Sequence, residues 1–124
     1  MMRIGVDIVS VSKIAHSLSV SAKFASRVFA PGELKHAEQM PEYPAHVFLA
    51  GRFAVKEAVL KALQVRLEDG IALSDIETAT AKDGCPEIRL SASALSASAL
   101  LNLSHWKVSI SHENDLAIAF VIAS

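Results

Sequence analysis

Residues 48–63, FLAGRFAVKEAVLKAL, decide the fold class. Set out at about 100° per residue on a helical wheel, they show apolar or small side chains nearly all round, the pattern of a buried helix. The charges fall in two narrow sectors, Arg52 with Lys56 on one and Glu57 with Lys61 on the other, and Ala50, Phe53 and Ala54 flank the second. Such a helix has to be covered by other elements, and the flanking sequence supplies strands.

Upstream, Ile4, Val6 and Ile8 alternate with Gly5 and Asp7, the period of a strand with one buried face, so Asp7 is expected on the other. From Ser10 to Phe29 the apolar residues recur at roughly helical spacing, and Ala30-Pro31-Gly32 breaks the pattern before Glu33 starts another short helix. Met40 to Pro44, with Pro41 and Pro44, reads as a loop. Downstream, Ile76–Thr80 and Glu87–Leu90 read as strands joined by Lys82-Asp83-Gly84-Cys85-Pro86, which has hairpin turn chemistry. Ser91–Leu95 recurs unchanged as Ser96–Leu100, most simply one Ala/Leu helix capped by a serine. Val108–His112 and Leu116–Ala123 read as a hairpin of central strands. No linker interrupts the chain. Residues 1–124 are therefore expected to form a single α+β domain in which an antiparallel sheet packs on the long buried helix.

Composition narrows the function classes. With 124 residues, 52% of them hydrophobic and 20% charged, the chain has the make-up of a globular domain rather than of a disordered or fibrous segment. A formal charge of −1 creates no bulk field toward nucleic acid or anionic lipid, so neither is an expected partner. The one cysteine, Cys85, excludes an intramolecular disulfide and any multi-cysteine metal site, which suits a reducing compartment and makes the cytoplasm the default. The apolar run before Ser10 is too short for a signal segment or for a membrane span of about 20 residues. A mean hydropathy of +0.36 implies more apolar surface than one small domain hides, and hence a homo-oligomer.

Two carboxylates lie in apolar settings, Asp7 in a strand and Glu57 on the buried helix, and each carries a desolvation cost unless paired or bound to a cation. A pair of hard oxygen donors invites a divalent metal, and Mg²⁺ suits it better than zinc, which favours His or Cys. The plainer alternative is that Asp7 pairs with a lysine or caps a turn while Glu57 bridges to Lys61 one turn on. Lys61, beside Glu57, completes a possible clamp on a metal-bridged pyrophosphate. His112 shares its strand face with Val108 and Ile110, where a satisfied core histidine competes with a catalytic one. Ser109 and Ser111 point the opposite way. Gly84, without a glycine-rich run before a helix, is no phosphate loop.

Taken in order, Gly5-Val6-Asp7-Ile8-Val9, Arg52-Phe53-Ala54-Val55-Lys56-Glu57-Ala58 with Lys61-Ala62, and Val108-Ser109-Ile110-Ser111-His112 form one set that resembles the holo-[acyl-carrier-protein] synthase family, the small single-domain 4′-phosphopantetheinyl transferases. The likeness extends over nearly the whole chain, through Phe24, Arg27 to Glu33, Asp75-Ile76-Glu77, and Gly84 with Pro86. It implies a 4′-phosphopantetheinyl transferase-like fold. It also implies Mg²⁺-dependent transfer of the phosphopantetheine arm of coenzyme A to a serine of apo acyl carrier protein, within fatty acid biosynthesis, by a homotrimer. On matching positions, Asp7 and Glu57 would hold the metal and Lys61 would contact the phosphate under attack. Arg52, Lys61 and His112 would bind coenzyme A between neighbouring subunits, while Lys13, Lys23 and Arg27 would meet the acidic carrier protein. For those three a merely solvated helix face is an equal reading. Glu57, or a water oriented at the metal site, is the candidate base for the carrier serine.

The chain departs from that family pattern twice. Where relatives commonly carry a Gly-x-Gly turn after the lysine helix, the helix here is expected to continue into Leu63-Gln64-Val65-Arg66. Where relatives often carry a basic stretch suited to the 3′-phosphate, it has Tyr43-Pro44-Ala45-His46-Val47, and Arg66 is the candidate substitute. These departures keep two other classes open: a coenzyme A-binding subunit that transfers nothing, and a purely structural oligomer.

Overall fold

The computed structural model describes residues 1–124, the side chain of Leu67 excepted. The chain runs β1 (Arg3–Ser10), α1 (Val11–Val20), α2 (Phe24–Val28), α3 (Pro31–Glu38), α4 (Glu42–Leu63), β2 (Ile76–Thr80), β3 (Pro86–Leu90), α5 (Ala92–Leu100), β4 (Trp106–Glu113) and β5 (Leu116–Ala123), with 3-10 turns at Leu67–Asp69 and Leu73–Asp75. The expected α+β architecture holds, with α4 lying against antiparallel sheet. The strands divide into a three-stranded sheet in the order β1-β5-β4 and a separate β2-β3 hairpin, so of the expected pair of central strands only β5 is central.

Small residues decide how α4 meets the sheet. The register stacks Gly5, Val121 and Val108 in one row, Asp7, Ala119 and Ile110 in the next, and Val9, Ala117 and His112 in a third, all on the face toward α4. Ala117, Ala119, Val121 and Ala123 are completely buried there, and the helix answers with Ala50, Ala54 and Ala58. At Gly5 the approach is closest, since a Cβ would lie 1.9 Å from the carbonyl oxygen of Ala58. No residue but glycine leaves room for that contact.

This seam reverses the expected faces of β1. The alternation is present, but Gly5 and Asp7 face the helix, while Ile4, Val6 and Ile8 are 63%, 52% and 58% exposed. Leu116, Ile118 and Phe120 of β5 continue the outward apolar face. A period of two separates the faces of a strand; which one turns inward is set by how closely the helix must approach.

The ends of α4 differ from the sequence reading for local reasons. The helix begins at Glu42, inside the expected loop, with Pro44 in its first turn, where a missing N–H forfeits no helical bond. It stops at Leu63 rather than continuing to Arg66. Gln64 turns left-handed (φ +59°, ψ +40°), its N–H donating to Lys61 O at 3.1 Å and that of Val65 to Leu60 O at 3.1 Å. Both bonds belong to a Schellman ending, which ordinarily places glycine where Gln64 stands. At α5 the expected serine cap is absent: the Ser91 side chain caps nothing, and Asp75 accepts instead from the Ser93 N–H at 3.0 Å.

Beneath α4 lies an ion pair sealed from solvent. Lys56 Nζ is 2.7 Å from Glu33 Oε1, both side chains fully buried, and it also donates to the carbonyls of Leu73 (3.1 Å) and Ile76. Glu33 Oε1 accepts the Ala30 N–H at 2.9 Å and Oε2 the Thr78 N–H at 3.0 Å. Burial lowers the Lys56 pKa and the charge of Glu33 opposes that shift. Replacing one partner strands the other charge, so Glu33→Ala is expected to lose about 3–5 kcal/mol in urea unfolding. Gln64→Gly, which removes left-handed strain, is expected to gain about 1 kcal/mol and to raise Tm by about 4 °C in calorimetry; a loss would show that Gln64 is not strained.

Candidate active site

The crossing of α4 over β1 brings Asp7 and Glu57 to one cleft of about 430 Å³, with Lys13, Ile14, Phe24 and Phe53 among its walls. Lys61, one turn after Glu57, reaches back across β1: its Nζ donates to Asp7 Oδ1 at 3.0 Å and to Val6 O at 2.9 Å. The lysine therefore pairs with Asp7, and among the described residues Glu57 has no ion-pair partner. Burial, reinforced by the charge of Asp7 and partly offset by Lys61, pushes the Glu57 carboxyl above the ordinary range. Two carboxylates close enough to disturb each other, one of them uncompensated, suit a divalent cation. Among the described residues no third His, Cys, Asp or Glu joins them. A cation held here would take its other ligands from water and substrate oxygens, which matches Mg²⁺ and not structural zinc.

Arg52 and His112 meet in a second cavity of about 320 Å³, together with His36, Phe48 and Thr80. His112 follows Ile110 on the inner face as its period predicts, yet it is exposed rather than a core residue. Gly51 makes room for it, since a Cβ there would lie 3.0 Å from His112 Nε2. The Arg52 guanidinium sits 4.0 Å over the Phe48 ring, which also stacks on His36 at 4.6 Å and 11°. Sequence reading did not single out His36 or Phe48; the Phe48 to Arg52 spacing of one helical turn was the available signal.

The two cavities share no lining residue. Arg52 and Glu57, five positions apart on α4, point about 140° away from each other around its axis. Lys13, Lys23 and Arg27 are exposed on α1 and α2 and the turn between them. Ser109 and Ser111 lie on the outer face beside Phe120 and Ile118, away from both cavities. Arg66 is exposed 3.7 Å from Glu68. Among the described residues no helix is long and apolar enough to cross a membrane.

Residues 3–121 match the model of the 4′-phosphopantetheinyl transferase superfamily. The chain is 38% identical over 120 residues to the holo-[acyl-carrier-protein] synthase of Desulfovibrio desulfuricans, covering 96% of this chain and 94% of that one. It is 39% identical over 120 residues to that of Nitratidesulfovibrio vulgaris, with the same coverage of both chains. Among solved structures it is similar to the Helicobacter pylori holo-[acyl-carrier-protein] synthase in complex with coenzyme A, at a TM-score of 0.82 and 33% identity over 98% of this chain and 99% of the other.

The coupling of the two carboxylates gives a testable sign. Asp7 raises the Glu57 pKa, so Asp7→Asn is expected to lower it in a metal-free ¹³C carboxyl titration. Glu57 holds its proton more tightly folded than unfolded, so its contribution to stability is complete below the unfolded pKa and is lost as pH rises through the folded one. That window narrows in the variant. An unmoved Glu57 titration would separate the two carboxylates and remove the divalent site.

Proposed function

We propose, for a chain that belongs to the 4′-phosphopantetheinyl transferase superfamily and within it to the holo-[acyl-carrier-protein] synthases, that it transfers the phosphopantetheine arm of coenzyme A to a serine of apo acyl carrier protein, releasing adenosine 3′,5′-bisphosphate. The observation that carries this reading is that Asp7 and Glu57 line one cleft with apolar walls while Lys61, outside that lining, bonds to Asp7. Phe24, Phe53 and Ile14 suit the uncharged arm, and the carboxylates and Lys61 suit the pyrophosphate it hangs from.

Asp7 and Glu57 would hold Mg²⁺, which when bound neutralises pyrophosphate charge. Lys61, with 56% of its side chain exposed, is free to turn its ammonium from Val6 O to the phosphate under attack. The serine oxygen bonds to the β-phosphorus as the anhydride bond to the departing bisphosphate breaks, and the serine proton passes to the Glu57 carboxylate. The candidate base is thus that carboxylate or a water that it orients. Positioning and charge supply the acceleration, with no covalent enzyme intermediate. Cys85 lines neither cavity.

Because Arg52 with His112 and Asp7 with Glu57 open on different sides of α4, one coenzyme A meets both sets most simply between two copies of the chain. The exposed apolar face of β1 and β5 supplies a surface for that assembly, which we take to be a trimer. Lys13, which lines the Asp7 cleft, and the exposed Lys23 and Arg27 fit an acidic carrier protein. The activity belongs to fatty acid biosynthesis in the cytoplasm.

Incubated with coenzyme A, Mg²⁺ and an apo acyl carrier protein, the chain is expected to raise the carrier's intact mass by the phosphopantetheine arm, and chelation should abolish the gain. Lys61→Ala is expected to stay folded and to transfer at least about 100-fold more slowly. A folded protein that binds coenzyme A yet labels no carrier would reduce it to a binding subunit.

A further inference from the structure

The Arg52 cavity has the make-up of an anion site. Its lining carries one guanidinium, two imidazoles (His36 and His112) and the Thr80 hydroxyl, and no carboxylate. Arg52 is in no ion pair among the described residues; its one hydrogen bond, to Thr80 Oγ1, is 3.4 Å long, and its buried Nε has no partner. Burial lowers its pKa, and the opposing charge, Glu33, is already committed to Lys56, the Ala30 N–H and the Thr78 N–H. A half-buried guanidinium in that position is stabilised by an anion arriving from the cavity.

Within α4 the stretch Tyr43 to Val47 carries no Lys or Arg, so a further donor to the cavity comes from a different element. That element is α3, whose His36 is exposed and held by its stack on Phe48, the ring that also supports Arg52. Stacking fixes the plane of the imidazole while leaving its edge to solvent, which is what a directed N–H donor requires.

We propose that His36 is a specificity-determining residue of this chain, donating with Arg52 to the phosphomonoester on the nucleotide end of coenzyme A. The ligand class is a nucleotide with a phosphorylated ribose, and the inference rests on the transferase reading above. Arg66 is exposed next to Glu68 and lies outside the cavity lining.

Calorimetric titration of the assembled wild-type protein and of His36→Phe with coenzyme A and with 3′-dephospho-coenzyme A tests it. Phenylalanine keeps the stack on Phe48 and removes the donor. The wild type is expected to prefer coenzyme A, and the variant to lose about tenfold of that affinity, the worth of one hydrogen bond to a charged group, with 3′-dephospho-coenzyme A binding unchanged. An unaltered preference in a variant with wild-type melting would overturn the role of His36. Equal wild-type affinity for the two ligands would overturn the subsite while leaving the transferase reading intact. Binding of neither ligand would sink both readings together.

Discussion

The buried pair Glu33 and Lys56 sets the orientation on which both cavities depend. Two charges removed from water are tolerated only where nearly every donor and acceptor is met, and here the ammonium reaches one carboxylate and two carbonyls while the carboxylate takes two backbone N–H groups. These bonds join α3, α4 and the start of β2. They also fix the rotation of α4 about its own axis. With Lys56 pointing inward, Arg52 lies about 40° to one side and Glu57 about 100° to the other. The directions of the guanidinium and of the uncompensated carboxylate are thus consequences of a contact that touches neither cavity.

The sheet divides its labour by face. Inward, β5 presents Ala117, Ala119, Val121 and Ala123 beside Gly5 of β1, and the sheet carries Asp7 and His112 at opposite edges, since β1 and β4 flank β5. Outward, β5 presents Leu116, Ile118 and Phe120, and β1 presents Ile4, Val6 and Ile8. The chemistry-bearing side therefore has the smaller side chains, which lets one helix contribute residues to a cavity at either edge. The bulky residues are left for another surface.

Much of this was legible in the chain. The near-continuous apolar wheel of residues 48–63 located α4, the turn chemistry around Gly84 located one hairpin and the apolar runs Val108–His112 and Leu116–Ala123 the other, and the apolar settings of Asp7 and Glu57 marked them as a pair. What escaped reading depends on distance in space rather than on spacing along the chain. Lys56 looks like a surface lysine until Glu33, 23 positions away, is brought beneath it. The inward face of β1 depends on Ala58 O, which is far away in sequence. The end of α4 at Gln64 is invisible because glutamine ordinarily avoids the backbone conformation it adopts there. Lys61 was read beside Glu57 because both lie on one helix, whereas its bond to Asp7 crosses from helix to strand.

The seam between α4 and β5 has one more consequence. Alanine and glycine have no side-chain rotamers, so joining the two elements freezes almost no side-chain entropy, and the seam has no alternative packing to move into. A contact of this kind behaves as a rigid plate with a single register. Accommodation to a ligand then falls to the parts outside it: the long lysine that crosses β1, the short helix carrying Phe24, and the hairpin turn at Gly84. The plate holds the backbones that carry Asp7 and Glu57 in one register whether or not anything is bound between them.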